Sequence, residues 1–224
     1  MQSCTRVVAI GRCMQDLLRA AGVQNTALVS NWSRLAVPLT APSTTGAPFI
    51  VLYSGNLGRA HDFEGINTAA EILARDGVEA RIVVRGDGPR RKDVRLPVLP
   101  PVPWDDLPAT LAATGAHLIT MRREFCGLVV PSKLYDAAAS GRPIIFAGPS
   151  ECECARAIRE NEMGLVVPDS DGPALASAVA RLHGDPALCL SMGQAAGRFS
   201  AAHRQESAVR AFSAILEEAL APLQ

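Results

Sequence analysis

A neutral chain of 224 residues, with 22 basic and 22 acidic side chains and 48% hydrophobic residues, has room for one large domain or two small ones and the composition of a globular protein. Its zero net charge argues against a nucleic-acid binder that works through bulk phosphate neutralisation. No apolar run approaches the ~18 residues of a membrane-spanning helix, residues 1–13 lack the apolar core of a secretory leader, and six scattered cysteines fit reduced cytosolic thiols better than a disulfide framework.

Short β-branched runs alternate with Ala/Leu-rich amphipathic runs. Residues 7–10 read as a strand, 12–21 as a helix stopped by Gly22, and 27–30 as a second strand. Residues 38–48 carry three Pro and three Thr with no periodicity and read as a linker. Beyond it the alternation becomes regular. Strands are expected at 49–54, 80–85, 116–120, 143–147 and 164–167, with at best a short one in the Pro-rich stretch 97–103. Helices are expected at 63–76, 105–113, 132–140, 155–160 and 172–183, followed by two helical stretches from about 186 to 220. Continuous apolar strands separated by helices mean a parallel sheet covered on both faces. The expected fold is α/β, a doubly wound Rossmann-like sheet, and such sheets bind ligands beyond the C-terminal ends of their strands.

The residues that follow the strands are therefore the candidates. Ser54-Gly55-Asn56-Leu57-Gly58-Arg59-Ala60-His61 follows the first strand after the linker. Its glycines permit a tight turn and close approach to a ligand, but the same turn serves as a generic strand–helix connection. It is neither the dinucleotide G-x-G-x-x-G nor a P-loop. Gly86-Asp87-Gly88-Pro89 after the next strand is a good turn sequence in its own right. The richest segment runs from Glu124 to Pro143. Ser132 is placed as an N-cap and Gly141 as the residue that ends the helix. Lys133 lies in the first turn, where it opposes the helix dipole unless an anion binds there. It is one of only two lysines among the 22 basic residues, the other being Lys92. Asp136 follows one turn later, placed to line the same cleft. The alternative for this pair is an exposed first-turn ion pair. Cys152 and Cys154 lack a second Cys/His pair at zinc spacing, so no metal is expected.

These segments resemble, in order, the donor-binding half of the retaining GT-B glycosyltransferases of the "glycosyl transferase group 1" family. The strand-end turn Tyr53-Ser54-Gly55-Asn56-Leu57, the Gly86-Asp87-Gly88-Pro89 turn, the glutamate block Glu124-Phe125-Cys126-Gly127-Leu128-Val129 and the second block from Asp136 to Pro143 each have a counterpart, as does Asn31-Trp32 before the linker. The resemblance implies that Glu124 contacts the transferred sugar as the catalytic-centre acid. It implies that the backbone at Gly127, Leu128 and Val129 binds the diphosphate, and that Asp136 binds the ribose. It implies a front-face reaction with no protein nucleophile and no required metal or cofactor, the nucleotide-diphosphate sugar being a substrate. The Pro131-Ser132-Lys133-Leu134-Tyr135 block is similar to a subset acting in polysaccharide and O-antigen assembly.

The chain departs from the pattern at three points. The second acid is Asp rather than Glu, Pro131–Leu134 reads as an insertion between the two acid blocks, and the family's phosphate-binding cations fall on Asn56 and Glu64. Arg59 and Lys133 are expected to supply the missing charge, beside donor-binding Gly55 and Asn56. His61, Gly86 and Asp87 are further candidates. The implied organisation is a remnant of an acceptor domain at 1–36, a linker at 37–48, a donor-binding domain at 49–202 and a C-terminal helix at 203–224. Val209, Phe212, Leu216 and Leu220 form one apolar stripe on that helix, which covers either its own domain or an acceptor domain. The expected partners are a nucleotide sugar and an acceptor-domain chain, not nucleic acid. The expected location is the cytoplasm, with peripheral association at the inner membrane face through the acceptor half. Two other activities share these features: a non-catalytic nucleotide-sugar-binding module or split-transferase subunit, and a sugar-nucleotide epimerase of GT-B architecture.

Overall fold

A computed structural model describes residues 4–33, 35 and 48–220; the expected linker, apart from Pro48, and the last four residues lie outside them. The chain opens with a small β–α–β unit: β1 (Val7–Ala9), α1 (Arg12–Ala20) and β2 (Thr26–Leu28). The two strands are parallel, with Val7 opposite Thr26 and Ala9 opposite Leu28.

The regular alternation that follows forms a six-stranded sheet. In chain order the elements are β3 (Phe49–Ser54), α2 (Glu64–Arg75), β4 (Ala80–Arg85), β5 (Val98–Leu99), α3 (Leu107–Ala112), β6 (Ala116–Thr120), α4 (Lys133–Ala139), β7 (Ile144–Ala147), α5 (Glu153–Glu160), β8 (Gly164–Val167), α6 (Gly172–Gly184), α7 (Pro186–Ala202) and α8 (Gln205–Leu220). The strand order is β5-β4-β3-β6-β7-β8, and every pairing is parallel. β6 and β7 are buried along their whole length, as expected of central strands whose side chains meet helices on both faces. Alternate residues serve opposite layers. Leu118 and Ile145 join Ile66, Leu73, Val179 and Leu182 of α2 and α6. Ile119 and Phe146 join Leu134, Ile158 and Phe199 of α4, α5 and α7. The doubly wound α/β sheet is thus the observed architecture.

Several boundaries differ from expectation, each for a local reason. The Pro-rich stretch yields only the two-residue β5, because proline cannot donate to a ladder. α5 starts at Glu153, ahead of the expected 155, since the extended Cys152 already serves as its N-cap. The C-terminal stretch forms the two helices expected there, α7 and α8, separated at His203 and Arg204. Asp171 and Asp185 cap α6 and α7, accepting from the Ala174 and Leu188 N–H groups at 2.8 Å each, with a proline in each first turn. Replacing Asp171 by Ala is expected to cost about 1 kcal/mol of stability, read from the midpoint of urea unfolding.

α8 leaves the sheet and lies beside the N-terminal unit. Arg6 pairs with Glu218 at 2.5 Å. Val209 and Phe212 border a hollow of about 460 Å³ with Val8, Ile10, Val29 and Trp32. Its stripe nevertheless stays open, with Val209, Phe212, Leu216 and Leu220 all between 44% and 57% exposed. The sheet order reverses between β3 and β6: the chain runs outward through β4 and β5, then returns to the other side of β3. The C-terminal ends of β3 and β6 are therefore where a crevice opens.

Candidate functional site

A cavity of about 410 Å³ occupies that crevice. Its wall brings together Gly55, Asn56 and His61 from the connection after β3, Val129 from the segment after β6, and Lys133 and Asp136 from α4. These residues are distant in sequence, and each was expected at the site. A larger hollow of about 830 Å³, lined by Glu79, Arg81 and His183 among others, lies at the N-terminal ends of β3 and β4, the wrong end of a parallel sheet for a ligand.

The floor is built from two glycine turns. Gly55 has φ +127°, and a Cβ there would fall 2.8 Å from Lys133 Cε. Gly86 has φ +143°, and a Cβ on it would fall 1.9 Å from the Gly55 carbonyl oxygen. Asp87 accepts from the Leu57 N–H at 2.8 Å through its own carbonyl. The Gly86-Asp87 turn thus lies behind the Gly55 turn and supports it; neither residue lines the cavity.

Lys133 is the centre of the polar contacts. Its Nζ donates to Tyr53 Oη at 2.6 Å, to His61 Nε2 at 3.2 Å and to the Asn56 carbonyl at 3.3 Å. It also stands 4.0 Å from the centre of the Tyr53 ring. Tyr53 in turn donates to the Asn56 carbonyl at 2.8 Å. Burial lowers the Lys133 ammonium to about 7, with Cys154 acting weakly in the other direction. Burial also pushes the Tyr53 phenol well above its usual range, so it is neutral. His61 is lowered to about 4, first by burial and then by Lys133. Asp136 accepts from Ser33 Oγ at 2.7 Å, which ties the segment ahead of the linker to the cavity wall.

Glu124, Gly127, Leu128 and Arg59 stand apart. Glu124 sits on a single 3₁₀ turn, Arg123–Phe125, half-exposed and ion-paired with Arg122; neither it nor Gly127, Leu128 or Arg59 lines the cavity. The Leu128 and Val129 N–H groups both donate to the Phe125 carbonyl, at 3.0 and 3.1 Å. Gly127 faces α1, a Cβ there meeting the Cys13 carbonyl at 3.1 Å. Arg59 is exposed. Ser132 occupies the N-cap position as expected but makes no side-chain capping bond. His117 also lines the cavity but is buried and bonded to Ser140 Oγ at 2.8 Å, as a structural histidine is. Cys152 and Cys154 are buried core residues, and among the described residues no group of three or more His, Cys, Asp or Glu is placed to hold a metal.

Sequence reasoning missed as contributors Tyr53, Ser33 and Thr120, whose carbonyl lies 2.7 Å from His61 Nδ1. Tyr53 carried a signal, a phenol next to the end of a largely apolar strand just before the glycine turn. Thr120 and Ser33 act through partners far along the chain and carried none.

A family model described as "Glycosyl transferases group 1" matches residues 48–185. The chain is 29% identical over 196 residues to the probable glycosyltransferase WbjE of Pseudomonas aeruginosa, covering 78% of this chain and 48% of that protein. It is 28% identical over 174 residues to the putative colanic acid biosynthesis glycosyl transferase WcaI of Escherichia coli strain K12, covering 68% and 43%. The chain therefore spans about half the length of these curated relatives. Among solved structures, Anabaena Alr3699/HepE in complex with UDP and glucose superposes with a TM-score of 0.72 at 17% identity, covering 97% of this chain and 63% of that one; this likeness concerns the fold. No helix among the described residues is long and apolar enough to cross a membrane.

Proposed function

The chain belongs to the group 1 glycosyl transferases, and we propose that it supplies the part of such an enzyme that binds the nucleotide-sugar donor. The observation that carries this is the convergence of Gly55, Asn56, Lys133 and Asp136 on one cavity where the strand order reverses. In this reading the diphosphate lies against the Gly55 turn and Lys133, Asp136 takes the ribose hydroxyls, and Glu124 meets the transferred sugar. As the glycosidic bond breaks, negative charge grows on the leaving diphosphate. A fixed cation beside it stabilises that charge more than it stabilises the ground state. Lys133, with Arg59 on the neighbouring loop, fills this role without a metal. The diphosphate-binding backbone N–H groups of the family map to Gly127, Leu128 and Val129; taking that role requires those of Leu128 and Val129 to leave the Phe125 carbonyl.

The acceptor is a saccharide or lipid-linked saccharide, held by an acceptor-binding domain in the same polypeptide or in a partner chain. Two features support that seat: the two-stranded parallel sheet of β1 and β2, a form normally buried within a larger sheet, and the open apolar stripe of α8. The reaction belongs to polysaccharide assembly on the cytoplasmic side, any membrane contact being made through the acceptor part.

A thermal-shift screen with UDP, GDP, ADP and their sugars tests the reading. At least one is expected to raise the melting temperature by about 5–10 °C at a hundredfold excess over Kd. A flat response to the whole set would remove the proposal.

A further inference from the structure

Lys133 is a half-buried cation whose hydrogen-bond partners are all uncharged: a phenol oxygen, a carbonyl and an imidazole nitrogen. An ammonium has three N–H donors, so three acceptors fix its direction. Tyr53 is held by its strand, and the Asn56 acceptor is backbone. The third partner has a free choice only if its ring can turn over or exchange its proton. His61 has neither freedom. Its Nδ1 lies 2.7 Å from the Thr120 carbonyl, which can only accept, so Nδ1 carries the proton and Nε2 presents a lone pair. The ring is buried and meets Tyr53 edge-on at 5.6 Å. Its own carbonyl accepts from Arg90 Nη1 at 2.8 Å.

We propose that His61 is a positioning residue for Lys133: with its proton committed to Thr120, its Nε2 holds the lysine nitrogen against the Gly55–Asn56 turn. Both ring nitrogens are then engaged within the protein, so His61 acts through Lys133. That the held cation meets a diphosphate rests on the donor-binding reading; the His61–Lys133 couple does not. The charges around the pair agree with the arrangement. On the α5 side the Cys154 thiol is pushed far up by burial and stays neutral. On β3 Tyr53 is neutral. Asp136, one turn along α4, accepts from Ser33. Arg90, behind the ring, helps keep His61 uncharged.

The chain contains two lysines, so protein grown with isotope-labelled lysine gives two sets of side-chain NMR signals, and the pH titration of each is read without any ligand. One set belongs to exposed Lys92; the other, from Lys133, is expected to titrate near 7. In His61→Leu the lysine loses its holder and turns to solvent, so its midpoint moves up to within about one pH unit of the ordinary lysine value of about 10.4. In His61→Gln, whose amide reaches the Nε2 position, the midpoint stays low. A Lys133 midpoint that is unchanged or lower still in His61→Leu means that Tyr53 and Asn56 suffice, and overturns the proposal. If His61→Leu does not fold, His61→Asn keeps the Thr120 bond but cannot reach Lys133, and equal Lys133 midpoints in the Asn and Gln variants overturn the proposal in the same way. A native chain that binds none of the nucleotide diphosphates would remove the donor-binding reading and leave these titrations untouched.

Discussion

Lys133→Met is expected to weaken binding of the most effective nucleotide diphosphate among UDP, GDP and ADP by about tenfold to a hundredfold, the worth of a hydrogen bond to a charged group. Titration calorimetry on the folded variant measures this, and unchanged affinity would remove Lys133 from the site. The substitution carries a second expectation of opposite sign. A lysine whose folded-state value falls to about 7 binds fewer protons when folded than when unfolded, over the interval from about 7 to the ordinary value of about 10.4. Stability therefore rises with pH across that interval, and the cost of burying the charge is fully present below it. Methionine keeps the volume and removes the charge. The variant should be more stable than the native chain at pH 7 and should lose most of that rise with pH. Weaker ligand binding in a more stable protein distinguishes a functional cation from a structural one.

Gly86→Ala is expected to destabilise the fold by at least about 3 kcal/mol, since its backbone lies in a region L side chains rarely adopt and the added methyl has no room. The methyl would stand 1.9 Å from the Gly55 carbonyl oxygen, so either the Gly86 turn or the Gly55 turn must move. Urea unfolding measures the loss. Gly77→Ala serves as the control: it also has positive φ, at +66°, but a Cβ there meets nothing within 4 Å. A loss at Gly86 no larger than at Gly77 would show that the stacked turns are not a rigid unit.

Much of this was legible because strands buried on both faces write continuous apolar runs. β6 and β7 were readable to within a residue for that reason, and Gly141, at φ +66°, ends α4 where a glycine was expected to. Gly55, Asn56, Lys133 and Asp136, read from the segments that follow the strands and from the family resemblance, do line one cavity. What the sequence did not carry is direction. Lys133 was expected to face an anion at its own helix N-terminus, yet its side chain reaches back to β3 and the turn after it. That choice depends on Tyr53, His61 and Thr120, which only the tertiary fold brings together. The Glu124 role rests on motif resemblance, and its half-exposed place beside Arg122 adds no physical signal of its own.

The reversal of strand order also has a consequence for how the molecule forms. β3 pairs with β4 over six residue pairs and β6 with β7 over four, each along a nearby stretch of chain. The central β3–β6 seam has only two registered pairs, Val51 with Ala116 and Leu52 with His117, and must close the longest loop in the sheet. Loop-closure entropy places that contact late, so two half-sheets should assemble first and dock last. The cavity lies on the seam. The binding site is thus among the final features to appear during folding, and a ligand that spans it acts as a clasp across the two halves.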